Sequence, residues 1–198
     1  MLTLVEEGVV SYRPVKSSTH EDPFGFDTIK FKPQMIQCLP ALLRLFGKRV
    51  TENLKLKRRD VRVEDGYLYI HFYILKKKSR KSEPIPHRKL KRITLDNPYV
   101  RYVLDYVETL TNPEDFLFSS EYSRSGHMSR QHAYRIIKGL NPKAWLHLFR
   151  QSLATEMAER GATEEELMSW FDWDRYETAH RYMKGGPKLT EKWSKRTF

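Results

Sequence analysis

The chain has 198 residues, a formal net charge of +11 and a single cysteine, Cys38. This length accommodates one substantial hydrophobic core, or one domain with an appendage, and one cysteine excludes an intrachain disulfide and is typical of a reducing compartment. No apolar run approaches membrane-spanning length and the N-terminus carries no signal-peptide pattern, so we expect a cytoplasmic protein. The clustered positive charge predicts a polyanionic partner.

The first half of the chain begins with a segment of no sustained periodicity, residues 1–31, which we expect to be an irregular leader. Apolar residues then recur at helical spacing from Pro33 to Phe46, and Gly47 ends this predicted helix. Pro40 lies inside the run and is expected to kink or split it. A second, short helix is predicted after Gly47.

From Val61 the apolar period changes to two, which predicts strands on either side of an Asp65-Gly66 turn. A returning strand is predicted at 93–95, so this region forms a small antiparallel sheet. Between the strands lies a dense run of lysine and arginine that is suited to gripping DNA phosphates, although a merely solvated face is the alternative. The candidate DNA-binding residues of this run are Lys76, Lys78, Arg80 and Lys81.

The middle of the chain predicts two more helices, one beginning at Asn97-Pro98 and one capped by Ser129. The second leaves Arg130 and Arg135 available for a contact with the DNA backbone. Neither of the histidines nearby has cysteine or carboxylate partners at ligand spacing, so we predict no metal site.

The stretch from 145 to 182 combines polar residues with three predicted helices. His147 and Arg150 stand three apart, so that both project from one helix face. Thr163 and Glu166 have the spacing of a capping box that begins the next helix. A third, short helix carries Tyr182. Taken alone, this stretch is equally consistent with a helical core that carries incidental polar residues.

The same stretch resembles the catalytic domain of the tyrosine recombinase (phage integrase) family. In that family a His-x-x-Arg helix continues through Ala-Thr to a glycine, and a His or Trp lies nine residues before the nucleophilic tyrosine. The matching residues are His147, Arg150, Ala154, Thr155, Gly161, Trp173 and Tyr182. The family's upstream pattern, Gly-x-Arg-x-x-Glu followed by Leu and Asp, is filled by Gly47, Arg49, Glu52, Leu56 and Asp60. Two positions depart from the family: Gln151 stands where a histidine is frequent, and Asp172 where a glycine is usual.

The resemblance implies an α+β, mostly helical fold with a small antiparallel sheet beside a helical bundle. It assigns residues 32–184 to a tyrosine recombinase-like catalytic domain and 185–198 to a C-terminal tail, which in this family often docks on a neighbouring protomer. The family usually has a separate DNA-clamping domain before the catalytic one, and we expect that 198 residues leave no room for it. The chain is then either a catalytic fragment or a protein that works without that clamp. Archaeal viral or plasmid integrases are a plausible source by analogy.

The resemblance also implies the role of each catalytic residue. Arg49 and Arg150 would clamp one phosphate, because a guanidinium donates two parallel hydrogen bonds and stays charged. Tyr182 would be the nucleophile. Lys77 is the expected acid for the leaving 5′ oxygen, with Lys78 as the nearest alternative.

His147 and Trp173 complete the predicted site. His147 would hydrogen-bond a nonbridging oxygen or assist proton transfer, and Trp173 would offer its indole N–H and an apolar wall. The implied activity is site-specific DNA recombination through a covalent 3′-phosphotyrosyl intermediate, with no cofactor. The implied partner is double-stranded DNA, bound by a homo-tetramer that is a monomer or weak oligomer without DNA, in the host cytoplasm or nucleoid. A type IB topoisomerase and a catalytically inactive DNA-binding module are the alternatives.

Overall fold

The structure is a computed structural model that describes residues 29–75 and 86–183, together with the backbone of residues 3–5 and 9–11. The chain forms two compact units. The first unit is Asp22–Arg150, and the second combines Met1–Glu21 with Gln151–Phe198. Each unit is built around its own buried residues.

The described elements follow one another as short strands, helices, a three-stranded sheet and further helices. In chain order they are β1 (Thr3–Val5), β2 (Val9–Ser11), α1 (Gln34–Phe46), α2 (Val50–Leu54), a 3-10 turn (Arg58–Asp60), β3 (Val61–Glu64), β4 (Tyr67–Leu75), β5 (Pro86–Thr94), α3 (Val100–Val107), α4 (Arg130–Leu140), α5 (Leu146–Glu159), α6 (Glu164–Phe171) and α7 (Tyr176–Met183). The predicted α+β, mostly helical fold with a small antiparallel sheet is confirmed. No helix of the described ranges is long and apolar enough to cross a membrane.

Helix α1 is the central helix of the first unit and packs against α2, α3 and α4. Of the predicted kink or split at Pro40, the split is wrong, because the helix runs through this residue without a break. Proline removes one backbone N–H from the helix, but Leu39, Leu42 and Leu43 on either side of it are fully buried. Their burial outweighs one missing hydrogen bond. The helix ends at Gly47, whose left-handed backbone (φ 57°) lets its N–H bond to the Leu43 carbonyl at 3.0 Å.

The sheet of the first unit has the strand order β3-β4-β5, and both pairs are antiparallel. Alternate residues of β4, from Leu68 to Ile74, are buried against the core, as the period of two predicted. Strand β5 begins at Pro86, well before the predicted 93–95. The reason is that β5 is an edge strand whose exposed residues are mostly basic and give no apolar alternation.

The second unit contains α6 and α7 and most of α5. The predicted capping box is present, because the Glu166 N–H bonds to Thr163 Oγ1 at 3.1 Å and the Thr163 N–H bonds to Glu166 Oε2 at 2.7 Å. The apolar faces of the three helices meet in one cluster, whose fully buried members are Ala154, Ala158, Leu167, Phe171 and Ala179. Strands β1 and β2 also belong to this unit, and they lie in the segment that the sequence predicted to be irregular. Three residues per strand are too few to show a period.

Candidate active site

The turn between α1 and α2 holds Arg49 in place through a single carboxylate. Glu52, of which only 6% is exposed, accepts a hydrogen bond from the Arg49 backbone N–H at 2.8 Å and one from Arg49 Nη1 at 3.0 Å. The acid therefore caps the start of α2 and orients the guanidinium at the same time. The Arg49 side chain is still 42% exposed, so its remaining donors can reach a ligand.

Arg150 lies at the same turn, although it comes from a helix about one hundred residues further along the chain. Its Nη1 donates a hydrogen bond to the Gly47 carbonyl at 2.8 Å, and the residue is only 3% exposed. The neighbouring Leu148 and Phe149 are buried, which fixes the first turn of α5 in the core of the first unit. The two arginines are thus joined to one short segment, Gly47 to Arg49.

His147 is exposed on the first turn of α5, but protein atoms on its inner side still desolvate it. Desolvation lowers the pKa of His147, and the positive charges of Arg150 and Arg49 lower it further. Both guanidinium groups therefore lie close enough to act on the imidazole of His147. Because its pKa lies below the ordinary value of 6.5, His147 is mostly neutral at pH 7.

Trp173 and Tyr182 come together in the second unit. Their rings are stacked, with centroids 5.1 Å apart and planes at 10°, and Trp173 also stacks on Phe171 at 4.8 Å. Asp172 lies between Phe171, the last residue of α6, and Trp173, and its backbone is left-handed (φ 54°). This conformation favours glycine and is tolerated best by Asn and Asp, which explains how Asp172 fills the family's glycine position.

The remaining predicted site residues are either exposed or outside the described ranges. Arg130 and Arg135 lie exposed on α4. Lys77 lies outside the described residues, and so do the candidate DNA-binding residues Lys76, Lys78, Arg80 and Lys81. The first unit therefore brings Arg49, His147 and Arg150 together, and the second brings Trp173 and Tyr182 together.

Two buried polar residues, one in the α1–α2 turn and one in α2, were not predicted from the sequence. Asn53 is fully buried, and its Nδ2 donates to the Lys48 carbonyl at 3.2 Å and to the Arg49 carbonyl at 2.9 Å. Lys48 is 1% exposed, with its Nζ 5.9 Å from the centre of the Phe72 ring. Asn53 stands four residues after Arg49, the N-terminal cap of α2, and this spacing could have suggested its contact with the Arg49 carbonyl. A lysine gives no sequence signal of burial.

Comparison with known proteins places this arrangement in a family. The model of the phage integrase family matches residues 27–187, which is most of the chain. The chain belongs to the phage integrase family. The predicted family is thereby confirmed, and an archaeal viral or plasmid source stays a prediction. A search of the curated proteins gave no match.

Solved structures of this family have the same fold at low sequence identity. XerA recombinase is 17% identical, with a TM-score of 0.60, over 86% of this chain and 62% of that chain. The post-cleavage complex of XerH recombinase with palindromic difH is 15% identical (TM-score 0.61; 91% and 55% of the two chains). The Tn1549 transposon integrase with transposon right end DNA is 13% identical (TM-score 0.61; 96% and 67%). The chain spans about half to two-thirds of the length of these phage integrase family members.

Proposed function

We propose that this phage integrase family member is a site-specific DNA recombinase that cleaves and rejoins DNA through a 3′-phosphotyrosyl intermediate on Tyr182. The observation that carries the proposal is the buried hydrogen bond from Arg150 to Gly47, which joins the second family arginine to the turn that presents Arg49. Guanidinium groups recognise phosphate through parallel, charge-assisted hydrogen bonds, so two arginines at one turn support an anionic ligand.

The two arginines are suited to hold one phosphodiester of DNA. Attack on phosphorus builds negative charge on the nonbridging oxygens, and positioned donors that remain charged stabilise it most. Arg150 is held by its carbonyl contact and Arg49 by Glu52, so neither has to reorganise when the phosphate arrives. We infer that each arginine binds one nonbridging oxygen.

His147 changes its role when phosphate binds. Desolvation, and after it the positive charges of Arg150 and Arg49, keep the pKa of His147 low in the free protein. A bound phosphate offsets their charges and raises the pKa of His147, so the imidazole can take up a proton and donate a hydrogen bond to a nonbridging oxygen. The pKa of His147 therefore depends on whether phosphate is bound.

Tyr182 supplies the nucleophile in the proposed reaction. Tyr182 gives up its phenolic proton to water, the phenolate oxygen attacks phosphorus, a bond forms from phosphorus to Tyr182, and the bond to the 5′ oxygen breaks. The released 5′ oxygen takes a proton from a lysine, for which Lys77 is our candidate. Stacking on Trp173 holds the tyrosine ring in one orientation, and the indole N–H is available for a phosphate oxygen. Because the phosphodiester energy is kept in the covalent bond, a second 5′ hydroxyl can reverse the step and rejoin the strands.

Recombination requires paired duplexes, so we propose a homo-tetramer on double-stranded DNA, with the tail 185–198 docked on a neighbouring protomer. The solved XerH and Tn1549 integrase structures are complexes with DNA. The excess of 36 lysines and arginines over 25 acidic residues supports a nucleic-acid partner. We expect the protein to act in the cytoplasm or nucleoid.

The proposal can be tested with nicked suicide duplexes made from the DNA that flanks the gene, after footprinting has located the bound segment. The wild-type chain should become covalently attached, and Tyr182→Phe should not. Tyr176→Phe is the matched control, since Tyr176 lies exposed on the same helix and bonds to Glu165. An adduct that persists in Tyr182→Phe would refute the assignment. A wild-type chain that footprints its DNA without forming an adduct would be a binding module.

A further inference from the structure

The first unit contains an open cleft of about 390 Å³ on the side of the 3-10 turn and β4. We call it the cationic cleft. Its lining includes none of the candidate catalytic residues, and six of the residues that form it are Lys55, Lys57, Arg59, Tyr73, Phe116 and His127. Its volume is near the lower end of the range for small-molecule sites, about 300–1,000 Å³. One nucleotide fits a space of this size.

The walls of the cationic cleft are tied together by backbone hydrogen bonds. The Leu117 N–H bonds to the Leu56 carbonyl at 2.8 Å, and the Arg58 N–H bonds to the Asp115 carbonyl at 2.9 Å. On the other side, the Met128 N–H bonds to the Phe118 carbonyl at 2.6 Å. The cleft is therefore formed before any ligand binds, which lowers the entropic cost of binding.

The charge of the cleft favours an anion. Three of its lining side chains are cations, and Glu114 at the rim pairs with two of them, Lys57 at 2.9 Å and Arg59. Glu114 is 54% exposed, and an exposed ion pair of this kind contributes little. Lys55 forms no side-chain ion pair within the described part of the chain. A phosphate can therefore bind to the lysines without breaking a buried contact.

The floor of the cleft is aromatic. The Phe116 ring lies under the Lys57 ammonium, 5.3 Å from its centre, and meets the His127 ring edge-on at 5.3 Å. His127 Nδ1 lies 2.9 Å from the Met128 carbonyl. A carbonyl only accepts hydrogen bonds, so Nδ1 carries the proton of this contact. Tyr73, whose ring is covered by Arg88 at 4.7 Å, forms the facing wall.

We propose that the cationic cleft binds one unpaired nucleotide of single-stranded DNA, with its base against Phe116 and its phosphate on Lys55 and Lys57. An aromatic floor beside cations is the arrangement that single strands use, because any base has a π face to stack. In a duplex the bases are stacked on each other, so only the lysines would contribute. The inference goes beyond recombination and does not require Tyr182 to be catalytic.

Fluorescence anisotropy with the Tyr182→Phe chain tests the proposal without cleavage. The probes are a labelled oligothymidylate of about 4–16 nucleotides, the size of one single-strand site, and a duplex of equal length. Phe116→Leu keeps an apolar side chain but removes the stacking face, and should weaken oligothymidylate binding about fivefold or more while duplex binding changes less than about twofold. Phe31→Leu is the matched control, since Phe31 is 81% exposed and outside the cleft.

The charge component is tested by the double variant Lys55→Gln/Lys57→Gln. It should reduce the slope of the salt dependence of oligothymidylate binding by about 0.7, because the two lysines neutralise one phosphate and each phosphate neutralised on a single strand contributes about 0.7. Lys143→Gln, at an exposed position outside the cleft, should leave the slope unchanged. Unchanged binding by Phe116→Leu, or equal losses for oligothymidylate and duplex, would overturn the proposal. So would displacement by free thymidine monophosphate as effective as displacement by the oligonucleotide.

Cross-linking gives a readout that needs no variant. Irradiation of the unmutated chain with a 5-iodouracil oligonucleotide should attach it to the peptide that contains Phe116. Attachment only outside the cationic cleft would refute the assignment. Loss of Tyr182 adduct formation alone would leave this result intact, so the two proposals fail separately.

Discussion

Arg150 is the residue whose replacement tests the site most completely, because it joins α5 to the α1–α2 turn and also supplies a charge. In Arg150→Met the side chain keeps most of its apolar volume, but the Gly47 carbonyl loses its 2.8 Å donor inside the protein. A buried acceptor left unsatisfied costs about 1–3 kcal/mol, so we expect the free energy of unfolding to fall by about this amount. Loss of a positioned donor for the phosphate should slow adduct formation by about 100-fold or more.

Arg150→Lys keeps the positive charge at this position but removes the planar guanidinium group. The ammonium keeps the positive charge near His147, so the pKa of His147 should stay low, whereas Arg150→Met should raise it towards its ordinary value. The measurements are denaturant unfolding, suicide-substrate kinetics and an NMR titration of His147. If Arg150→Met changed neither the unfolding free energy nor the pKa of His147, Arg150 would not be held at the turn.

Three further predictions concern the neighbours of these residues. Glu52→Gln removes the charged acceptor that orients Arg49, so it should lower the free energy of unfolding by about 1–3 kcal/mol and slow adduct formation. Denaturant unfolding measures the first effect and the suicide-substrate assay measures the second. Trp173→Phe should preserve folding, because the Phe ring still stacks on Tyr182, but it should slow adduct formation. Trp173→His should restore part of the rate, because its ring supplies an N–H. Single-turnover kinetics measure both variants. The pKa of His147 is lower in the folded chain, so the unfolded chain binds the proton more readily. The free energy of unfolding should therefore rise with pH from the folded pKa to about 6.5. Denaturant titrations should show that His147→Gln flattens this rise.

The parts of the site that rest on local spacing could be predicted from the sequence. His147 and Arg150 three apart on a helix, and Gly47 at the end of α1, follow from helical geometry and from glycine's access to positive φ. The capping box at Thr163 has the same local origin. These features depend only on residues within one turn of each other.

The parts that depend on tertiary packing could not be predicted. The burial of Lys48 follows from its place beside Phe72, which belongs to a distant strand. The continuity of α1 through Pro40 follows from how much apolar surface its neighbours bury. The carbonyl of Gly47 has no feature in the sequence that would identify it as the acceptor of Arg150. Only the folded chain shows these contacts.

The most direct test of a tyrosine nucleophile is to identify the residue that carries DNA. The adduct formed on a nicked suicide duplex would be digested with nuclease and protease, and the modified peptide sequenced by mass spectrometry. We predict a nucleotide linked through its 3′ phosphate to the Tyr182 oxygen, and no such peptide from Tyr182→Phe. A nucleotide on Tyr176, or on any residue other than Tyr182, would contradict the proposed mechanism.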